Sequence, residues 1–395
     1  MAVNNLTFEQ SAAFLNDLYG QATGLSPGLI STSDTGSFVS VAQTVLKTGY
    51  DNVINAISQV LGRTIFSVRP YSAKFKGIDV SEEKWGAITR KINYVDKPLE
   101  NDDRMALVDG QAVDPWKVNK PEILQTIFYG ATQYQRSVTI FRDQLDAAFS
   151  SADEFGRFIG GLMQNIEDQL EQVREEEARA CLANLIGGVS AIGDTMRYID
   201  VLALYNEQVG QSYSTQEILR GDNFVAFTKW LYSYINDLTR QMSDRSAVFH
   251  QNVTAKPVLR HTPPERLKAY MSATIYDKIE SVALPSVFGA DRMKMIDWEP
   301  VTYWQSIKLP ETIQVTPTYL AADGTLTTAQ TAVNIPYIVG VLFDEEAAGI
   351  TRMSTWQAAT PFNPRGGYTN IFWHFTQKMW NDFTENAVVL YMGID

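Results

Sequence analysis

Three histidines, His250, His261 and His374, are the side chains of this sequence best suited to acid–base chemistry or metal ligation near neutral pH. None stands in a constellation that would use it. There is no His-Glu-x-x-His, and no histidine neighbours Cys181, the single cysteine. Each histidine therefore reads as a satisfied structural residue. Glu100-Asn-Asp-Asp103 gathers hard oxygen ligands at a spacing that suits calcium, but it lacks the glycine and distal glutamate of a calcium loop and reads as a solvated loop tip. Glu167, Asp168, Glu171, Glu175, Glu176 and Glu177 suggest paired carboxylates for general acid–base work. Arg174 and Arg179 are interleaved with them, and Glu175 with Arg179 makes the favourable spacing of four, so the stretch reads as a solvated helix face serving solubility. No Gly-x-Ser-x-Gly elbow, Walker-type loop or Gly-x-Gly-x-x-Gly follows a predicted strand, which leaves serine hydrolysis and nucleotide binding without support. No metal and no cofactor is expected.

Aromatic residues are the other candidate chemistry. Trp230, Trp298, Trp304, Trp356, Trp373 and Trp380 could stack on sugars or bases, but they lie at helical and strand spacing among apolar residues and read as core. Trp85 and Trp116 differ. They sit in a charged stretch with no local core, between Ser67 and Pro121, and are expected to anchor in a neighbouring subunit. Arg90, Lys91 and Arg104 of the same stretch complete the candidate intersubunit contacts.

Composition narrows the class further. The 395 residues are 45% hydrophobic and 20% charged, enough for a sizeable core divided among two or three substructures. A formal charge of -12 repels phosphate, so sequence-specific nucleic-acid binding through a basic surface is not expected as the main task. One cysteine excludes an intrachain disulfide framework. The most apolar run, Tyr337 to Phe343, is far shorter than the roughly 20 residues of a membrane span, and Met1 to Glu9 has no signal-peptide pattern, so a soluble protein is expected.

The elements that must position these residues follow from periodicity. Phe8 to Leu18 is helical and Gly24 to Gly36 loose, which together read as an arm; Val41 to Leu61 predicts one or two short helices ending at Gly62. Residues 67–141 predict a long two-stranded excursion, with Ile123 to Phe141 alternating at period two; too polar for its own core, it must lean on something outside itself. Ser151 with Glu154 forms a capping box, and Phe155, Phe158, Ile159, Leu162, Ile166, Leu170, Val173, Leu182 and Leu185 follow helical spacing to a stop at Gly187-Gly188. That is one helix over about 151–187, roughly 50 Å long. Cys181 is expected to pack in it as a small apolar residue. Asp222 is placed to cap a helix through Phe224 to Leu238, and Thr262-Pro-Pro-Glu265 predicts a second, carrying Leu267, Tyr270, Met271, Ile275, Ile279 and Val282. Strands are expected at Ile313 to Tyr319, Thr325 to Ile335 after a turn at Asp323-Gly324, Tyr337 to Phe343, and finally Ala387 to Met392.

This order of parts, in an α+β chain, resembles the tailed-bacteriophage major capsid protein family with its Hong Kong 97-type fold. The most similar stretch runs from Gln135 to Phe149 through Ser151-Ala-Asp-Glu-Phe-Gly-Arg-Phe-Ile159 into the glutamate-rich helix; His261 to Met271, Val341 to Ile350 and Asn363 to His374 are secondary likenesses. The resemblance implies an N-terminal arm and short helices over 1–66, an extended hairpin called the E-loop over 67–122, and a peripheral domain with the spine helix over 123–190. An axial domain with some peripheral strands would span 191–375, and a closing strand 376–395. It further implies a non-enzymatic shell subunit assembling into hexamers and pentamers around double-stranded DNA bound without sequence specificity, located in the virion and assembled in the bacterial cytoplasm. Residues 1–60 are too short and too apolar for a cleaved scaffolding segment, so a separate scaffold protein or a matured chain is implied, Met1 favouring the uncleaved chain. A portal and a decoration protein are the other implied partners; a membrane is not. Lys84, Lys91 and Lys97 stand in the E-loop, but nothing marks a crosslinking partner. An encapsulin-like compartment shell of the same fold is the nearest alternative, to be separated by genomic neighbours. A hydrolase with an aromatic cleft is the alternative of another class and requires convergent carboxylates roughly 5 to 9.5 Å apart.

Overall fold

A computed structural model describes residues 8–23, 88–96, 121–148, 152–254, 256–283 and 298–393, together with short runs and single positions between 41 and 120. The calcium-like cluster Glu100 to Asp103, Trp85, the loose stretch Gly24 to Gly36 and most of Val41 to Leu61 lie outside the described residues.

The core is organised by the apolar run near the end of the chain. Strand β12 (Ile338–Asp344) is buried along its whole length. It pairs antiparallel with β15 (Ala387–Tyr391) on one side and with β6 (Leu267–Ser272) on the other. Tyr198–Asp200, β5, joins β15 in parallel, and Trp298–Val301, β7, joins β6 in parallel, giving a five-stranded sheet in the order β5-β15-β12-β6-β7. Alternate residues of these strands enter two different cores. Met271, Leu342, Val388 and Leu390 pack with Phe227, Leu231, Ile235 and Leu238 of the helix Gly221–Ser243. Tyr270, Val341, Phe343 and Val389 pack with Leu182, Leu185, Ile186 and Val189 of the long helix. A sheet covered on both faces needs apolar residues at every position, which is why Tyr337 to Phe343 reads as an unbroken run instead of an alternation.

The long helix spans Ala152–Ile192, 41 residues and about 60 Å at 1.5 Å per residue. Gly187 and Gly188 do not end it. They are places of close approach: a Cβ on Gly187 would lie 2.4 Å from Val315, and one on Gly188 2.4 Å from the Phe383 ring. The stop is Gly193, whose φ of 74° is the left-handed conformation that ends helices. Gly188→Ala is therefore expected to lower stability by about 1–3 kcal/mol through overpacking, despite a helix-propensity gain of about 1 kcal/mol. A thermal melt reads the drop, and an unchanged or raised midpoint would contradict it.

Other elements depart from their sequence pattern for local reasons. The capping box at Thr262-Pro-Pro-Glu265 does not open a helix. Pro264–Arg266 forms a single 3-10 turn, β6 follows, and only Ala273–Lys278 is α-helical. The Thr262 hydroxyl donates to Asp344 at 2.9 Å instead of capping. Strand pairing on both sides overrides the helical spacing of Leu267, Tyr270 and Met271. Asp222 is not the cap of its helix either: Arg220 stands at that position without a side-chain bond, and Asp222 lies in the first turn, where its charge favours the helix dipole. Ile313 to Tyr319 divides at Thr316-Pro317 into β8 (Ile313–Val315) and β9 (Thr318–Leu320). These pair with β11 (Val333–Ile335) and β10 (Leu326–Thr328), the second pair around Gly324.

A second sheet carries the rest. Ala348–Ala359 (β13) and Tyr368–Asn381 (β14) form a long antiparallel pair; β4 (Thr132–Phe141) runs beside β14, and the short β1 (Asp79–Val80) lies parallel to β13. The expected single strand from Ile123 to Phe141 is broken by Gly130 at φ 94°. Its first half, β3 (Ile123–Tyr129), leaves the sheet and pairs with β2 (Ile88–Tyr94). The long helix packs under both sheets, and the N-terminal helix Phe8–Thr23 packs against the long helix.

Candidate assembly interface

The candidate contacts Arg90 and Lys91 are neighbours on β2, so they point to opposite faces of the β2–β3 hairpin. The inner face meets the body of the chain through polar groups. Lys91 Nζ lies 3.0 Å from Asp382 and 2.9 Å from Glu346, and also bonds Glu385. Arg260 joins Glu385 at 2.9 Å, and Arg266 joins Glu346 at 2.5 Å and Asp344 at 3.2 Å. Burial alone would lower the Lys91 pKa; the charges of Asp382 and Glu385 and the bonds to Glu346 and Glu385 outweigh it and raise it. Lys378, fully buried, donates to the Thr89 hydroxyl, and the Phe128 and Trp380 rings meet at 5.2 Å. Lys91, expected to reach a neighbouring subunit, is thus held by carboxylates of its own chain, because strand alternation turns it inward.

The foot of the hairpin is pinned as well. Asp96 N donates to Pro257 O at 3.1 Å, its carboxylate accepts from Leu259 N at 2.6 Å and from Arg245, and Lys256 Nζ donates to Ile123 O at 2.9 Å. Residues 97–122 follow Asp96 before β3 begins. Among its described positions Arg104 is exposed and Trp116 is 85% exposed, its N–H bonded to Asp114 at 2.9 Å.

The outer face of the hairpin is apolar. Ile92 and Tyr94 of β2 and Ile123, Ile127 and Tyr129 of β3 all face outward and are exposed, Tyr129 by 73%. Arg90 stands among them, opposite Ile127, and makes no ion pair among the described residues. This hairpin is the reverse of an ordinary surface ribbon, which buries its apolar side and wets its polar one.

Other sequence-marked residues fall mostly inside. Trp298, Trp304 and Trp373 are buried, whereas Trp356, expected in the core, is exposed and stacks on His374 at 3.8 Å. His250 is buried, with Nε2 donating to Val258 O at 2.6 Å, and burial lowers its pKa. Cys181 is buried, and burial pushes its thiol up to about 12. The acidic face of the long helix is only partly solvated, contrary to its sequence reading. Glu176 is exposed, but Glu171 and Glu177 are buried, Arg174 bonds Glu171 at 2.5 Å, and burial together with the nearby Glu177 carboxylate raises the Tyr134 pKa. Arg179 holds Glu175 at 2.5 Å, donates to Tyr303 O and lies 3.6 Å above the Tyr303 ring. These charges fasten β4 and the segment after β7 to the helix, a role that helical spacing alone does not reveal. An open groove of about 580 Å³ lies between β3, the long helix and the β9–β10 hairpin; among the described residues Asp382 is its one lining carboxylate, and Lys91 already binds it, so these residues do not supply the carboxylate pair of a glycoside hydrolase.

The fold is shared with phage capsid chains. A chain in the structure of the head fiber and inner core protein gp22 of native bacteriophage P68 superposes with a TM-score of 0.54 at 11% identity, covering 82% of this chain and 85% of its own. One from the capsid structure of Staphylococcus phage Andhra gives 0.52 at 12% identity, covering 82% and 84%. At these identities the likeness establishes the fold, a mixed helix-and-sheet capsid fold of the Hong Kong 97 type. A comparison with curated protein sequences returns no match. The family model of the Phi29-like phage major capsid protein matches residues 28–391, and the chain belongs to that family. It is a tailed-phage major capsid protein, a structural component of the virion that assembles with copies of itself into the shell, which decides against the encapsulin-like alternative.

Proposed function

We propose that the chain forms hexamers and pentamers of an icosahedral shell, in which residues 67–122 act as an E-loop and residues 1–66 as an arm, both lapping onto neighbouring subunits. On this reading 123–190 form the peripheral domain around the spine helix, 191–375 the axial domain, and 376–395 the closing strand. The observation that supports it is the hairpin: its polar face is committed to its own subunit, while its apolar face and Trp116 lie open to solvent, an arrangement that favours association. The shell encloses double-stranded DNA without gripping it, consistent with a net charge of -12. A separate scaffold protein, a portal and a decoration protein complete the particle, which assembles in the host cytoplasm. Electron microscopy of the purified protein is expected to show closed shells, rings or capsomer sheets. A monodisperse monomer at all concentrations would contradict the proposal.

A further inference from the structure

We infer that the apolar outer face of the β2–β3 hairpin is the seat for the Trp116–Val118 segment of an adjacent copy. The inference rests on the assembly reading above and says which surface meets which. Three observations carry it. The seat is built from Ile92, Tyr94, Ile127 and Tyr129, exposed on a strand pair whose other face is already anchored, so the pair cannot turn over to hide them. The occupant is present in the same chain: Trp116 and Val118 are exposed by 85% and 78%, and an aromatic of this kind buries on the order of 150–250 Å² when it docks. The charges also match. Arg90 stands within the seat with no ion pair among the described residues, and Asp114, whose carboxylate accepts from the Trp116 backbone N–H at 2.9 Å, is carried in next to Trp116 in the chain. Arg90 can therefore meet a carboxylate and an aromatic face together. A knob and a socket on different parts of one chain make a head-to-tail contact, and such contacts close into rings when the rotation between copies allows it.

The test uses full-length chains in a Cys181→Ala background. Shells assembled from chains carrying both Val118→Cys and Tyr129→Cys are treated with a short bismaleimide and run on a denaturing gel. A ladder of covalent dimers, trimers and higher rungs, absent from either single-cysteine chain, is expected. Shells that yield monomers only, or an intrachain link that shifts mobility without raising mass, would overturn the inference and leave the seat to another partner or to the chain's own loop. A second arm needs no crosslinker. Arg90→Glu should cut shell yield at least tenfold and Asp114→Arg in the same chain should restore most of it; a yield that is unchanged by the first, or not restored by the second, also overturns the pairing. If the parent chain stays a monodisperse monomer and forms no shells, rings or sheets, the assembly reading fails, and that failure is seen before any variant is made.

Discussion

Replacing residues 97–119 with a short Gly-Ser link is expected to leave a chain that folds and builds no shell. The cut spares the contacts that pin the foot of the hairpin: Val95 N still reaches Glu122 O at 3.0 Å, Asp96 still holds Leu259, and the β2–β3 register from Ile88 with Tyr129 to Tyr94 with Ile123 survives. With the replaced segment go the exposed Arg104, Trp116 and Val118. A docked loop of this length buries on the order of 800 Å² per partner, so shell yield should fall below detection while circular dichroism and the cooperative melt stay close to the parent. Sedimentation and the melt together decide the outcome. Regular particles would show that the loop is ornament, and loss of the melt would show that the cut reaches the core. A wider replacement of 78–118, which the polar sequence of 67–121 would seem to permit, is expected to fail differently. It removes Ile78 and β1, which pack into the core beside β13, and it removes Lys91.

Lys91→Met should cost about 3–5 kcal/mol of folding stability, the usual effect of deleting one member of a buried charge cluster. Its side chain is 18% exposed, and the carboxylates of Asp382 and Glu385 that it serves are more buried still. Without the ammonium, those two carboxylates and Glu346 are left crowded, with Arg260 and Arg266 as their remaining cationic partners among the described residues. Arg90→Met, one residue away on the exposed face, should change stability by only about 0.5 kcal/mol. Denaturant melts of the two variants side by side give the comparison. Equal midpoints would mean that the Lys91 cluster is not what holds the hairpin to the body.

The contrast between these two neighbours shows where sequence reading stops. Arg90 and Lys91 occupy one charged strand, and both were expected at an intersubunit contact. Alternation says that they face opposite ways, but which face meets carboxylates depends on residues 346, 382 and 385, far along the chain. The long helix was legible because three dozen residues repeat one spacing, and the run before Phe343 because continuous apolarity needs two covered faces. The Asp323-Gly324 turn was legible from its residues alone. Gly187 and Gly188 misled because a helix stop and a close contact call for the same residue; only Val315 and Phe383 in space tell them apart. The strand Leu267–Ser272 misled more thoroughly. Its capping signal and its spacing agreed on a helix, and two flanking strands overruled both. The exposed tryptophan at 116 was legible as an anchor without a local core, whereas its counterpart at 356 looked like core and stands in solvent.

Strand β5 joins the five-stranded sheet only through β15, pairing Tyr198 with Val389 and Asp200 with Tyr391. During synthesis, residues 198–200 therefore wait for a partner made nearly half a chain later. At roughly 5–20 residues per second, that wait is on the order of ten seconds or more. Until then β12 has one open edge, and the faces that receive Val388 and Leu390 on one side and Val389 on the other are incomplete. A nascent subunit on the ribosome thus cannot finish its central sheet before residues 387–391 have emerged. Translation itself sets the order of events: the subunit closes its core first and meets its neighbours afterwards, at the cost of an interval in which the unfinished sheet is open to chaperones and to aggregation.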